Sequence, residues 1–166
     1  VGTLAIVDNS KLTDIDGLNK LTSIKRQLNI SRNESLLTIN GLQNVSSIGE
    51  DFALSENVSL VEIQGLLGLK EIIGNLSISD NTSLMNLSSL NEVSSIGGGL
   101  TFAGNTSLVT IDGLSNLTSI GYLLVLNNDR LINFDGLNKI VTVEGDLRFF
   151  YNDALTNLNG LSSCTT

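Results

Sequence analysis

The sequence predicts an all-β fold: a right-handed β-solenoid of about seven rungs of 24 residues, with residues 1–166 forming a single repeat domain. Three observations predict it. Apolar residues recur at a fixed step along the whole chain, as from Leu4 to Leu28, 24 residues on. Within each repeat the pair Leu-x-Ile has the period of two that points both side chains to one face of a strand. The inward side chains of one repeat do not offset the entropy of ordering its backbone, so repeats must stack and share a core.

The elements of a repeat come in a constant order. It opens on Leu4, Leu28, Phe52, Leu76, Leu100, Leu124 and Leu147, with Ile6, Ile30, Leu54, Ile78, Phe102, Leu126 and Phe149 two residues later. The sixth repeat is one residue short, and these columns place the deletion at Val125–Asn128. Each repeat then carries an Asn: Asn9, Asn33, Asn57, Asn81, Asn105, Asn128 and Asn152. An Asn amide in a turn bonds its own backbone and the Asn of the next coil, so this column reads as a structural ladder. The columns headed by Leu12, Ile15, Leu18, Leu21 and Ile24 complete the inward set. A spacing of three between apolar positions, as in Leu117-Thr118-Ser119-Ile120, predicts a bent strand or corner, and three short strands per rung are expected. Gly17, Gly41, Gly65, Gly113, Gly136 and Gly160 recur, with Ser89 in the remaining repeat. A glycine kept at one turn position predicts a positive φ there.

Composition narrows the function. Hydrophobic residues make up 41% and aromatics only 4%, so the core must be aliphatic. A net charge of −8 repels phosphate backbones and argues against a nucleic-acid partner. There is no His, which removes Ser-His-Asp and Cys-His catalysis and imidazole metal ligation. A single Cys makes no intrachain disulfide and no cysteine zinc cluster; Cys164 falls in an inward column and reads as a buried, inert thiol. No apolar run approaches the ~20 residues that span a bilayer, and no two carboxylates pair for glycoside chemistry. The expectation is a non-enzymatic chain with no cofactor, metal or transmembrane segment.

The motif Leu-x-x-Leu-Thr-Ser-Ile-Gly-Gly-x-Leu-x-Ile-x-x-Asn-x-Ser-Leu runs from Leu90 to Leu108 and again, less fully, from Leu114 to Leu131. It resembles the receptor L-domain-like leucine-rich repeat, and the resemblance covers essentially the whole chain. It implies the β-solenoid of the ligand-binding L domains of insulin and epidermal growth factor receptors. Those domains carry disulfides and a capping helix that this chain lacks. Its unadorned repeat is more similar to the secreted bacterial surface and fungal cell-wall relatives. The resemblance therefore implies an extracellular module, secreted or associated with a cell surface or wall. No receptor contact residue has a counterpart here.

Four features are candidates for function. Asn-x-Ser/Thr sequons occur at Asn29, Asn33, Asn44, Asn57, Asn75, Asn81, Asn86, Asn105 and Asn116. Asn33, Asn57, Asn81 and Asn105 belong to the ladder, so Asn29, Asn44, Asn75, Asn86 and Asn116 are the candidate glycosylation sites; the abundance of Asn, Ser and Thr also produces sequons by chance. An apolar stripe, Leu37, Val61, Met85, Val109 and Ile132, follows a core Leu in successive repeats. It reads either as corner packing or, if exposed, as a protein contact patch. A hydroxyl stripe, Thr22-Ser23, Ser46-Ser47, Ser94-Ser95 and Thr118-Ser119, suits ice or carbohydrate, or merely solvates a β face; Lys70-Glu71 and Val141-Thr142 interrupt it. Asp16, Asp112 and Asp135 before the repeated Gly, with Asp8 and Asp80 before ladder Asn, read as solvated turns or weak calcium ligands.

No cap is visible at Val1 or Thr166, so the array is expected to be a fragment of, or a unit in, a longer one. The leading expectation is a structural, adhesion or ligand-binding module with a protein or carbohydrate partner. The alternatives are a filament subunit that stacks on copies of itself end to end, and an ice-binding protein.

Overall fold

The computed structural model describes residues 1–165; Thr166, the last residue of the expected open edge, lies outside them. The strands in chain order are β1 (Leu4–Val7), β2 (Leu28–Ser31), β3 (Ser47–Ile48), β4 (Phe52–Ser55), β5 (Glu71–Ile72), β6 (Leu76–Ser79), β7 (Ser95–Ile96), β8 (Leu100–Ala103), β9 (Ser119–Ile120), β10 (Leu123–Leu126), β11 (Thr142–Val143) and β12 (Leu147–Phe150). The four-residue strands form one parallel seven-stranded sheet in the order β1-β2-β4-β6-β8-β10-β12. The two-residue strands form narrower parallel sheets, β3-β5-β7 and β9-β11. The chain is thus mostly β, with regular contacts between successive turns, as in a β-solenoid.

Alternation explains the broad sheet. Leu28 and Ile30 on β2, Phe52 and Leu54 on β4, and Leu76 and Ile78 on β6 are fully buried, while the residues between them face outward and are half-exposed. The narrow sheets bury one residue per turn, Ile48, Ile72, Ile96, Ile120 and Val143. One continuous core lies between the sheets; it is mainly aliphatic, but its largest side chains are the aromatic Phe52, Phe102 and Phe134, so it is not wholly aliphatic as the composition suggested.

The third side of each turn is not a strand but a 3-10 turn: Asp16–Leu18, Asn40–Leu42, Gln64–Leu66, Ser88–Leu90, Asp112–Leu114, Asp135–Leu137 and Asn159–Leu161. The spacing of three carries the reason. A 3-10 helix has three residues per turn, so Ile39, Leu42 and Val45 fall on one face and all three are buried. Leu42 N–H donates to Ile39 O at 3.0 Å and Val45 N–H to Leu42 O at 2.8 Å.

Where a preceding turn packs against it, the repeated glycine answers a close approach rather than a positive φ. Among the described residues the only glycine with positive φ is Gly104. A Cβ on Gly65 would lie 1.8 Å from Ile39 O of the preceding turn, and one on Gly113 would lie 1.7 Å from Leu87 O. Backbone therefore packs directly on backbone down this edge. Ser89 stands at the same place, 4% exposed.

The sixth repeat also corrects the expected register. Leu123 lies opposite Leu100 and Leu147, and Val125 opposite Phe102 and Phe149. Leu123 and Val125 are fully buried, whereas Leu124 and Leu126 point outward. The missing residue therefore lies not at Val125–Asn128 but in the turn before β10, where Gly121-Tyr122 replaces the three glycines Gly97-Gly98-Gly99. All four residues of β10 are apolar, so hydropathy alone left both registers open.

Candidate functional site

The Asn column is the most heavily bonded feature of the molecule. Asn33, Asn57, Asn81, Asn105 and Asn128 are all 0% exposed. Asn81 Nδ2 donates to Leu54 O at 2.9 Å, to Ser79 O at 3.0 Å and to Asn105 Oδ1 at 3.4 Å. Its Oδ1 accepts from Asn57 N at 3.1 Å and Asn57 Nδ2 at 3.2 Å. The pattern repeats from Asn9, whose Nδ2 donates to Asn33 Oδ1, to Asn152, whose Oδ1 accepts from Asn128. No buried side-chain polar atom among the described residues lacks a partner.

The residue before each ladder Asn takes a left-handed conformation: Asp8 (φ 61°), Arg32 (54°), Glu56 (57°), Asp80 (57°), Gly104 (66°), Asn127 (55°) and Tyr151 (54°). This reversal turns the chain out of the broad strand and aims the next side chain inward. For an L-residue it costs about 1–2 kcal/mol, and the Asn hydrogen bonds hold it there. Nothing in hydropathy signalled it, because only one of the seven positions is Gly.

This column assembles a charged row on the surface. Arg32 donates from Nε to Asp8 Oδ1 at 2.6 Å and from Nη2 to Asp8 Oδ2 at 2.9 Å, and its Nη1 lies 3.9 Å from Glu56 Oε1. The hydrogen bond from Arg32 holds the Asp8 carboxyl below its usual value, and Asp8 in turn raises Arg32. Asp8 and Asp80 sit in this row, while Asp16, Asp112 and Asp135 lie exposed at the starts of 3-10 turns. Among the described residues no group of three or more acidic, Cys or His side chains is placed to hold a metal ion.

The apolar stripe lies on the corner between the Asn ladder and the 3-10 turns. Leu37 is 59% exposed, Val61 44%, Met85 47% and Ile132 46%; Val109 is half-buried. Backbone bonds hold the row in register: Met85 N–H donates to Val61 O at 3.1 Å, Val109 N–H to Met85 O at 3.0 Å and Ile132 N–H to Val109 O at 3.3 Å. Rungs about 4.8 Å apart make the stripe roughly 20 Å long. Thr13 and Thr156 occupy the corresponding places at its two ends, bonded by backbone to Leu37 and Ile132.

A polar column beside the stripe escaped the sequence reading. Asp14, Thr38, Asn86, Thr110, Asn133 and Asn157 each accept the backbone N–H two residues on, at 2.9–3.3 Å. These short side chains start the 3-10 turns. Glu62 stands at that place in the third turn and instead accepts from Gln64 Nε2. The signal was present as a column of Asp, Thr and Asn two residues before six of the seven turns.

The remaining candidates are dispersed. Of the sequons outside the ladder, Asn44 and Asn116 are exposed, each with Nδ2 donating at 2.7 Å to a carbonyl of the preceding rung. Asn29, Asn75 and Asn86 are half-buried. Asn75 belongs to a second, short ladder: its N and Nδ2 donate to Asp51 Oδ1, and its Oδ1 accepts from Gly99 N. The hydroxyl stripe follows the narrow sheets, with Thr22, Ser46, Ser94, Ser95, Thr118 and Ser119 exposed, Ser23 and Ser47 half-buried, and exposed Lys70 and Glu71 interrupting it. Cys164 is half-buried against the core, less covered than its inward column implied. No helix of the described residues is long and apolar enough to cross a membrane.

Comparison with protein-family models, with curated proteins and with solved structures finds no match. Function must therefore be argued from the chain's own geometry.

Proposed function

We propose that this chain is a non-enzymatic extracellular module for adhesion or ligand binding. Its scaffold is a right-handed solenoid of 24-residue rungs, similar to receptor L-domain repeats, and its protein contact surface is the stripe Leu37, Val61, Met85, Val109 and Ile132. The observation that carries the reading is the exposure of large apolar side chains at one corner of successive turns. A row of this kind, flanked by the polar column Thr38, Glu62, Asn86, Thr110 and Asn133, suits an apolar partner surface with a polar rim. Extracellular placement rests on the sequons at Asn29, Asn44, Asn75, Asn86 and Asn116, which make the chain a candidate glycoprotein.

Two of these assignments compete, because Asn86 adjoins Met85. A glycan on Asn86 would cover the middle of the stripe. Peptide mapping of material from the native source is expected to find Asn86 unmodified. Immobilised chain should adhere to cells of that source, and Met85→Lys should abolish adhesion with an unchanged unfolding midpoint. A glycan at Asn86, or adhesion indifferent to Met85→Lys, would remove the stripe from the reading. Light scattering on the same material tests the filament alternative, which requires species far above the 17.6 kDa chain that grow with concentration.

A further inference from the structure

We propose a second binding site, independent of the stripe: a cleft around Tyr122 on the outer face of the broad sheet that takes a neutral sugar. It arises where the array departs from its 24-residue step. Where the fifth turn enters its broad strand through Gly97-Gly98-Gly99, the sixth enters through Gly121-Tyr122, one residue shorter. The shortening sets the Tyr122 ring across Gly99: a Cβ on Gly99 would lie 2.2–2.4 Å from Tyr122 Cδ1, Cε1 and Cγ. One ring face is thus packed on bare backbone, and the residue remains 36% exposed. Gly121 and Gly145 carry no side chain to cover it.

The rest of the lining comes from β8, β10 and β12 in register, with the polar groups supplied by Thr101, Asp146 and Arg148. Thr101 lies opposite Leu124, and Leu124 opposite Arg148. Asp146, two residues before Arg148, receives its Nη2 at 2.6 Å. The cleft has a volume of about 480 Å³, within the range that holds a small ligand.

The chemistry selects the ligand class. The partly exposed Tyr122 ring and Leu124, which line the same cleft, offer apolar surface for the C–H side of a pyranose ring. The Asp146–Arg148 pair offers acceptors and donors a hydrogen bond apart, the combination that vicinal hydroxyls need. Arg148 and Asp146 neutralise each other in their ion pair, which leaves no unbalanced charge in the lining to select an anion or a cation. The charged row at Asp8–Arg32–Glu56 forms a cleft of similar size. It has no aromatic platform, and Arg32 is held there by both Asp8 oxygens.

The test uses the whole chain with Tyr151→Phe, which leaves Tyr122 as the sole tyrosine in a protein without Trp. Cellohexaose, laminarihexaose, chitohexaose and mannohexaose are titrated separately by calorimetry and by Tyr122 emission, with heparin as the anionic control. At least one neutral hexasaccharide should bind with a Kd of about 1 mM or tighter and change the emission. Tyr122→Ala should weaken it about tenfold or more; Tyr122→Phe should retain most of the affinity in calorimetry. Arg148→Met, at a solvent-facing position, should also weaken it and decides the matter if Tyr122→Ala does not fold. Met85→Lys should leave binding unchanged, so failure here and failure of the stripe are separable. Binding by none of the four sugars, binding of heparin alone, or binding insensitive to Arg148→Met overturns the proposal.

Discussion

The two corners that flank the broad sheet solve the same problem in different ways. After the strand, every turn places an Asn, fully buried in the five middle turns and bonded to neighbouring turns. Before the strand, the equivalent residues are Thr3, Gln27, Asp51, Asn75, Gly99, Tyr122 and Asp146. Among the described residues only Asp51, Asn75 and Gly99 form a ladder there, and a residue has been lost from this corner in the sixth turn. The difference is access to water. Polar groups sealed under the left-handed reversal must find their partners within the protein, and the same Asn side chain supplies them in every turn. At the half-exposed corner solvent is within reach of the backbone, so the chain is free to vary, to shorten and to display an aromatic ring.

The sharpest way to break this contrast is to delete an amide at each corner. Asn81→Ala removes partners from Leu54 O and Asn57 N in the interior, while the part-buried Ser79 O keeps the Glu56 N–H. With about 1–3 kcal/mol for each buried group left unpaired, a loss of about 4 kcal/mol is expected in urea unfolding. The Asn57 amide should lose hydrogen-exchange protection. Asn75→Ala, where water can replace the carboxamide, should cost only about 1 kcal/mol. Equal losses would show that burial is not what separates the corners.

The turn that lost a residue offers the next largest effect. Leu123→Ala should cost about 3 kcal/mol, because it opens a cavity in the core. Leu124→Ala, on the outer face, should cost less than about 1 kcal/mol. The reverse order would restore the register that hydropathy suggested, with the deletion after β10.

The same physics decides how legible each feature was. The inward columns, the stacking and the Asn ladder could be read because each requires a particular chemical class at a fixed interval. The third side was misjudged because a spacing of three fits both a bent strand and a 3-10 turn. The distinguishing sign lay in polar residues such as Thr38, Asn86 and Thr110, whose side chains receive the backbone N–H two residues on. The Tyr122 cleft was not legible at all. It depends on which of four consecutive apolar residues, Leu123 to Leu126, turn inward, and that is decided by pairing with β8 and β12.

The glycine column yields a smaller effect that separates two causes. Gly65→Ala would drive a methyl into Ile39 O of the neighbouring turn and should cost at least about 2 kcal/mol. In Gly17 an added Cβ meets nothing within 4 Å. Gly17→Ala should therefore be neutral, or stabilising by about 0.4–1 kcal/mol through a stiffer unfolded chain. If both substitutions cost the same, the backbone conformation, and not the contact between turns, would be what selects glycine.

The smallest effect is expected where the strained reversal carries charge. The Arg32 hydrogen bond lowers the folded-state pKa of Asp8 below its ordinary value near 3.8. A depressed carboxylate pKa contributes stability that is complete above the unfolded-state value and is lost as pH falls through the folded-state value. Asp8→Asn should therefore flatten the acid limb of the stability curve below pH about 4. Both partners are solvent-exposed, so added salt should shrink the difference between the two proteins. The Asn ladder one residue away has no titrating group and should hold its neighbours through the same acid and salt range. A salt-insensitive Asp8 effect would mean that the carboxylate acts on the left-handed turn itself and not through Arg32.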